Sequence, residues 1–211
     1  MFAGNHAGNH EVTAAHTISR KQHMPNWFIA IPVAPTGWFE PPVRTPPKGF
    51  RSTHPDDLHV TVAFLGPVQE TRARAAWEAL RWNVGPRSIS LGKPITLGPP
   101  INYSALVITL ADRALEQAIA RCRDAVCSAA GVLADRRPPL PHVTIARPPK
   151  LATAADREAG LTWASQLELH THQTTLDTLA LYARATDPRD GRKYRTVCVQ
   201  SFAQLIGEPQ R

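Results

Sequence analysis

The sequence contains two nearly identical hexapeptides, HVTVAF at residues 59–64 and HVTIAR at residues 142–147, whose histidines are 83 residues apart. Their β-branched and apolar residues predict a strand in each case. Because side chains two positions apart on a strand share a face, His59 and Thr61 are expected side by side. The same holds for His142 and Thr144, and the aliphatic residues between them are expected to face an apolar layer.

If the fold brings these strands together, two imidazoles and two hydroxyls meet in one cleft. Cleavage of a phosphodiester needs a base for the incoming oxygen and an acid for the leaving oxygen, and two histidines supply both at neutral pH. The threonine hydroxyls would donate hydrogen bonds to the non-bridging oxygens, where negative charge gathers. Arg147 adds a positive charge for the phosphate. A single His-x-Thr on a strand is more often structural, so the hypothesis depends on the repeat and its flanks.

The remaining sequence predicts alternating strands and helices. Hydrophobic periodicity predicts strands at residues 26–33, 58–65, 88–97, 104–110, 142–146, 178–184 and 193–202, and helices at residues 71–82 and 112–130. The parts of the chain before and after residue 100 each carry strands, a helix and one HVT motif. This arrangement predicts an α+β fold made of two similar halves.

Caps and turns limit these elements. Asp112 and Gly131 are expected to cap the helix at 112–130, and Thr153 with Asp156 is expected to begin a third helix through a capping box. The DPRDG sequence at residues 187–191 predicts a hairpin turn. Residues 34–50 contain five prolines and predict a loop.

The chain is basic, with a formal net charge of +7 and a pI of about 9.8. Of its 24 basic residues, 19 are arginine. Arginine offers phosphate a planar, bidentate donor pair, which favours a nucleic-acid partner. A genome composition that replaces lysine by arginine explains the balance equally well, so charge alone leaves both explanations open.

The other compositional signals favour a single cytoplasmic domain. Cys122, Cys127 and Cys198 match no zinc pattern, which favours reduced thiols, and we predict no metal site. No stretch approaches the roughly 18 apolar residues that span a bilayer, so no membrane partner is expected. We predict a disordered polar tail at residues 1–24, one domain at residues 25–206 and a short tail at residues 207–211, in a monomeric protein.

The flanks of both hexapeptides resemble a known family. PDDLHVTVAFLG (residues 55–66) and RPPLPHVTIAR (residues 137–147) resemble the first and second motifs of the 2H phosphoesterase superfamily. The resemblance is to its LigT-like branch, named RNA 2′,3′-cyclic phosphodiesterases or 2′-5′ RNA ligases. NWFIAIPV (residues 26–33) resembles the opening strand of that branch, and LALYARATDPRDGRKYRTV (residues 179–197) resembles its closing hairpin. The likeness covers residues 26 to about 203.

The resemblance implies a bilobal α+β fold, with two pseudo-symmetric antiparallel sheets and outer helices around a central cleft that carries both motifs. It implies that His59 and His142 are the acid and base and that Thr61 and Thr144 hold the phosphate. It implies hydrolysis of 2′,3′-cyclic phosphates at RNA ends to 2′-phosphates without metal or cofactor. We assign His142 as base and His59 as acid, roles that exchange when the reaction is reversed to join RNA 2′-5′. At residues 34–50, where the family usually has a helix, this chain departs from the pattern.

Several further residues are candidates with a structural alternative. Phe64, Tyr182 and Tyr194 are candidates for stacking on a base, although such residues are more often core. Three arginines near the closing hairpin are candidates for guiding an RNA backbone; they are Arg184, Arg192 and Arg195. For Arg189 and Arg192 a solvated charged turn is the favoured interpretation. Asp56 and Asp57 are expected to lie in a turn.

The expected partners are RNA ends or cyclic nucleotides, and three other functions stay open. The same site suits small cyclic nucleotides or 2′-5′ oligonucleotides, it suits 2′-5′ RNA ligation, and the basic surface also suits an RNA-binding protein without catalysis. The absence of a glycine-rich phosphate loop in the sequence argues against a P-loop ATPase.

Overall fold

The structure, a computed structural model, describes residues 24–185 and 191–207. The predicted tails at residues 1–24 and 207–211 therefore fall almost wholly outside the described residues, as does most of the predicted DPRDG turn. The domain bounds at residues 25 and 206 remain a prediction.

The described residues form ten strands and four α-helices. The strands are β1 (Asn26–Pro32), β2 (Arg51–Ser52), β3 (His59–Pro67), β4 (Arg87–Ser90), β5 (Pro94–Leu97), β6 (Ala105–Thr109), β7 (His142–Arg147), β8 (Gln173–Leu176), β9 (Thr178–Arg184) and β10 (Tyr194–Ser201). The helices are α1 (Glu70–Glu78), α2 (Arg113–Ala129), α3 (Ala154–Ser165) and α4 (Phe202–Gly207). The predicted α+β class is confirmed.

The strands form one large sheet and one small sheet. The large sheet has the order β10-β9-β1-β3-β7-β6-β5, with β2 added to β7, and β4 pairs with β8 in the small sheet. β3 pairs with β1 along its length, but it meets β7 at a single pair, Val60 with Val143. The two sheets expected from the sequence are thus joined into one at a single pair of residues.

The core lies on one face of the large sheet. α1 packs against β1 and α2, and α2 packs against β3. The apolar side of α2 is buried as its periodicity predicts; it comprises Leu115, Ile119, Cys122 and Val126. This packing leaves the opposite face of the sheet for the polar side chains of β3 and β7.

Helix termini follow the capping signals in the sequence. The Asp112 carboxylate accepts a hydrogen bond from the Leu115 N–H at 2.8 Å, and Thr153 and Asp156 form the reciprocal capping box that begins α3. Gly131 adopts a positive φ of 71° directly after α2. The helix predicted at residues 71–82 is shorter, since α1 ends at Glu78.

The single strand predicted at residues 88–97 is wrong. The chain forms β4 and β5 there, and they belong to different sheets. Gly92 separates them, and its N–H donates to the Thr109 carbonyl at 2.7 Å. A Cβ at Gly92 would collide with the Thr109 side chain and backbone, so the chain bends at this close approach.

Residues 34–50 form turns and no helix, as predicted. The segment is nevertheless packed, because Trp38, Phe39 and Val43 are at most 4% exposed. The Trp38 indole N–H donates to the Ala34 carbonyl at 2.7 Å. These anchors fix the path of the chain into β2.

Candidate active site

The two HVT motifs lie on adjacent strands at the centre of the large sheet. β3 and β7 are antiparallel and meet at Val60 and Val143. His59 therefore lies on the same side of this pair as Thr144, and Thr61 lies on the same side as His142. Each histidine position therefore neighbours the threonine position of the other strand.

Exposure alternates along both strands. Val60 and Val143 are fully buried on the core face, and the neighbouring histidines and threonines are half-buried. The four polar side chains therefore share the face opposite the helices. Beyond the single pair the two strands separate, which opens a cleft between the two halves of the sheet.

Both hexapeptides carry a β-bulge at the same place. The pairing register shifts at Val62 and Ala63 in β3, where Thr61 opposes Ala30 and Phe64 opposes Phe28. It also shifts at Ile145 and Ala146 in β7. An extra residue reverses the alternation that follows it. The sixth residue of each motif, Phe64 or Arg147, therefore returns to the face of the histidine.

Each imidazole is held by a hydrogen bond of the same kind, from its Nδ1 to the backbone carbonyl two residues earlier. His59 Nδ1 lies 2.6 Å from the Asp57 carbonyl oxygen, and His142 Nδ1 lies 2.6 Å from the Leu140 carbonyl oxygen. A carbonyl only accepts, so each Nδ1 carries the proton and donates it. In the neutral ring Nε2 is then unprotonated, and it is the nitrogen available to exchange a proton with a substrate.

An aromatic cluster surrounds His59. Its ring centroid lies 4.8 Å from that of Phe28, 5.6 Å from that of Tyr194 and 6.0 Å from that of Tyr182. Ala30 and Ala180 belong to the same cluster, and their small side chains leave room for the imidazole. His142 has no aromatic partner of this kind among the described residues, so the two histidines occupy different surroundings.

Burial and charge set the protonation of the pair. Burial is the largest cause of a lowered pKa for His59 and for His142, and the Arg147 guanidinium lowers the pKa of both further. For His59, the hydrogen bond to Asp57 and the Asp57 carboxylate oppose this shift in pKa. The neutral imidazole therefore prevails in both at pH 7.

Asp57 connects the first motif to the end of the closing hairpin. It is 3% exposed, and its Oδ2 accepts a hydrogen bond from the Lys193 backbone N–H at 2.7 Å. Its carbonyl holds His59, so one residue fixes both the imidazole and the start of β10. The turn expected at Asp56 and Asp57 is present as a short 3-10 helix.

A cavity of about 620 Å³ lies behind the aromatic cluster, and none of the histidines and threonines of the two motifs lines it. Its lining includes Pro32, which pairs with His59, and Ala180 and Tyr182 of β9. Asp56 and Arg192 add charged groups to its lining. The cavity falls in the size range of small-ligand sites.

Comparison with known proteins agrees with this geometry. The family described as the 2′-5′ RNA ligase superfamily matches residues 44–188, more than half of the 211 residues.

The chain belongs to the 2′-5′ RNA ligase superfamily.

Solved structures with the same fold include proteins of E. coli and Thermus thermophilus. E. coli LigT complexed with NADP⁺ is 20% identical over 85% of this chain and 98% of its own, with a TM-score of 0.55. E. coli LigT complexed with 3′-AMP is 21% identical over 84% and 98%, also with a TM-score of 0.55. Protein TT0787 of Thermus thermophilus is 18% identical over 87% and 100%, with a TM-score of 0.60. No curated protein matches the sequence.

In this member of the 2′-5′ RNA ligase superfamily, the candidate residues are only partly brought together. His59, Thr61, His142, Thr144 and Arg147 share the cleft face, and Arg147 Nη1 donates to the Ser104 carbonyl at 3.4 Å. The sequence missed the Phe28 contact with His59 and the Asp57 tether. Asp57 lies two residues before His59, and the sequence predicted only a local turn at that position.

The three aromatic candidates differ in exposure. Phe64 is 59% exposed, Tyr194 is half-buried, and Tyr182 is 5% exposed with its ring stacked on Phe28. Phe64 therefore presents a free ring to the cleft, whereas Tyr182 supports the cluster around His59.

The three arginines of the closing hairpin occupy different positions. Arg184 follows Tyr182 by two residues and is exposed. Arg192 lies 3.8 Å from the Asp56 carboxylate. Arg195 lies over the Trp27 ring, 5.6 Å from its centroid, on the core side of the sheet. Of the three, Arg184 has the position that a cleft-bound backbone would require.

In residues 24–185 and 191–207 no three histidine, cysteine or acidic side chains cluster as metal ligands would. Over the same residues, none of the helices is both long and apolar enough to cross a bilayer.

Proposed function

We propose that the protein hydrolyses 2′,3′-cyclic phosphates at RNA ends to 2′-phosphates, with His59 and His142 as general acid and base. The observation that supports this most directly is the pair of Nδ1 hydrogen bonds, which leaves both Nε2 atoms free on one face beside two threonines. A member of this superfamily with such a pair is equipped for phosphodiester chemistry.

The proposed steps are as follows. His142 Nε2 takes a proton from water as the water oxygen bonds to phosphorus, and the bond from phosphorus to the 3′ oxygen breaks. In the fraction of enzyme in which His59 is protonated, His59 gives its Nε2 proton to that oxygen, leaving a 3′-hydroxyl and a 2′-phosphate. Thr61, Thr144 and Arg147 stabilise the charge on the non-bridging oxygens. The chain supplies both proton transfers, so the reaction needs no metal-bound hydroxide.

The test uses an RNA oligomer that ends in a 2′,3′-cyclic phosphate, with EDTA present. His59→Ala and His142→Ala should each lower kcat/KM by at least about a hundredfold, since each removes a general acid or base. His170→Ala, an exposed histidine outside the cleft, is the matched control and should be fully active. Full activity in both cleft variants, or no conversion by the wild type, would refute the proposal.

The same variants assign the two roles. When sulfur replaces the 3′ bridging oxygen, the leaving thiolate needs no proton. His59→Ala should then recover most of its rate and His142→Ala should not. Recovery in His142→Ala instead would exchange the acid and base.

A second candidate is hydrolysis of small cyclic nucleotides by the same residues. The cavity of about 620 Å³ lined by Ala180 and Tyr182 is large enough for a nucleoside, and a structure of E. coli LigT is complexed with 3′-AMP. Comparing kcat/KM on a cyclic mononucleotide and on cyclic-ended RNA separates the two candidates.

Ligation and RNA binding without turnover are weaker candidates. 2′-5′ ligation uses the same residues in reverse and requires RNA halves as substrates. The presence of both histidines with free Nε2 atoms argues against a non-catalytic protein. We propose a cytoplasmic location because all three cysteines are free thiols.

A further inference from the structure

Strand β2 occupies the edge of β7 that β3 leaves vacant. After β3 and β7 separate, Arg51 pairs with Arg147 and Ser52 pairs with Ala146. The Thr53 N–H continues this edge by donating to the Ile145 carbonyl at 3.0 Å. The proline-rich segment that departs from the family pattern therefore delivers Arg51 directly beside the second motif.

The register places two arginines opposite each other on the cleft face. Side chains of directly paired residues on adjacent strands share a face of the sheet. The bulge in β7 turns Arg147 to the face of His142 and Thr144, so Arg51 projects from that face too. Like charges directly opposite each other are unfavourable unless an anion lies between them.

Lys193 adds a third positive charge. Its backbone N–H is tied to Asp57, two residues from His59, and it directly precedes Tyr194 of the His59 cluster. Burial and then the charges of Arg51 and Arg147 lower the pKa of its ammonium, while the Asp57 carboxylate opposes them. Three cations from three separate segments thus converge, and in the described part of the chain none of them forms a salt bridge with a carboxylate.

The combined positive charge of Arg51, Arg147 and Lys193 exceeds what one phosphate needs. A cyclic phosphodiester carries a single negative charge, and Arg147 with two threonines already serves it. The surplus cations, Arg51 and Lys193, match the next phosphate of a polynucleotide, which a cyclic mononucleotide lacks. Arginine is suited to this because its fork binds phosphate through two parallel hydrogen bonds.

We propose that Arg51, supported by Lys193, binds the phosphodiester on the 5′ side of the terminal nucleotide, so that the enzyme selects RNA ends over cyclic mononucleotides. The inference rests on the proposed hydrolase and names its substrate class. Arg51 is then a specificity residue, which holds the chain of the substrate and takes no part in the proton transfers.

The test compares Arg51→Gln with wild type on two substrates, an RNA oligomer ending in a 2′,3′-cyclic phosphate and cytidine 2′,3′-cyclic monophosphate. Arg51→Gln should lose about tenfold or more in kcat/KM on RNA, the value of one charge-assisted hydrogen bond, with the loss mainly in KM. On the mononucleotide its kcat/KM should change less than about twofold, which also shows that the variant folds. Arg51→Lys should recover part of the RNA activity.

Arg81→Gln is the matched control, because Arg81 is exposed and, within the described residues, donates only to backbone carbonyls near its own helix. It should behave as wild type on both substrates. Raising the salt concentration should weaken RNA hydrolysis. Arg51→Gln should reduce the slope of log kcat/KM against log salt concentration by the amount that about one phosphate contact contributes.

Two results with an active wild-type enzyme would overturn the inference. An equal loss on both substrates would place Arg51 at the scissile phosphate, and unchanged RNA activity would exclude any contact. If the wild type hydrolyses neither substrate, the proposed function fails. Binding of a fluorescent RNA with a 2′-phosphate end then tests whether Arg51 contacts RNA. Arg51→Gln should still weaken that binding about tenfold, and equal binding would overturn the inference.

Discussion

Asp57 makes two contacts that bear on His59. Its carbonyl accepts from His59 Nδ1 at 2.6 Å, and its buried carboxylate accepts from the Lys193 N–H at 2.7 Å. The carboxylate also favours the protonated imidazole electrostatically and so raises the His59 pKa. Asp57 thereby connects the position of the ring to its proton affinity.

Asp57→Asn should lower the pKa of His59, because the amide oxygen still accepts the Lys193 N–H but the negative charge is gone. The neutral imidazole would then persist to lower pH. An NMR titration of the imidazole C–H resonances measures this directly.

Asp56→Asn is the control, since Asp56 is exposed and adjacent, and it should move the His59 titration less. The explanation fails if Asp57→Asn leaves the His59 titration unchanged, or shifts His142 by the same amount.

At the scale of elements, α3 and the proline-rich segment meet at Gly160. Gly160 is buried in α3, and an added methyl group would overlap the Tyr103 hydroxyl and the Phe50 ring. The Tyr103 hydroxyl also donates to the Arg157 carbonyl at 2.9 Å. Phe50 directly precedes β2, so this contact helps to fix the position of Arg51, the first residue of that strand.

Gly160→Ala should therefore destabilise the fold by about 1–3 kcal/mol, the usual cost of overpacking. For a domain of this size the melting temperature falls by about 2–4 °C for each kcal/mol, which thermal unfolding can measure. Gly207→Ala is the control, because open space surrounds that position. An unchanged melting temperature in Gly160→Ala would show that the helix and segment can separate at no cost.

At the scale of the whole molecule, the sheet is two halves joined at one residue pair. Antiparallel pairing is extensive within each half, and between them it is reduced to Val60 and Val143. The separation of the strands creates the cleft, and the bridging pair holds the two motifs next to each other on adjacent strands. A fully paired sheet would leave no room for β2 or for a substrate.

Removing residues 1–23 should leave the melting temperature and kcat/KM unchanged, because that polar sequence offers no apolar pattern to bury. A variant that begins at Phe28 is the contrasting control, since it also loses Trp27, which is 1% exposed in the core. That variant should lose several kcal/mol of stability, in the range of about 3–5 kcal/mol for deleting a buried aromatic side chain. A loss of stability or activity on removing residues 1–23 would contradict the predicted domain boundary.

The sequence alone determined the local features of this protein. Alternation in HVTVAF and HVTIAR placed two histidines and two threonines on one face, and the capping residues Asp112, Thr153 and Gly131 marked helix ends. These features can be predicted from the sequence because they depend on neighbours within a few positions along the chain. The α+β class followed from the order of such elements.

The tertiary structure decided everything that depends on register. The bulges that turn Phe64 and Arg147 into the cleft arise from pairing with β1 and β6, and simple alternation would have placed both residues on the core face. The split of residues 88–97 depends on a contact with Thr109, and the pairing of Arg51 with Arg147 depends on the separation of β3 from β7. Such contacts join residues far apart in the chain, so no local pattern encodes them.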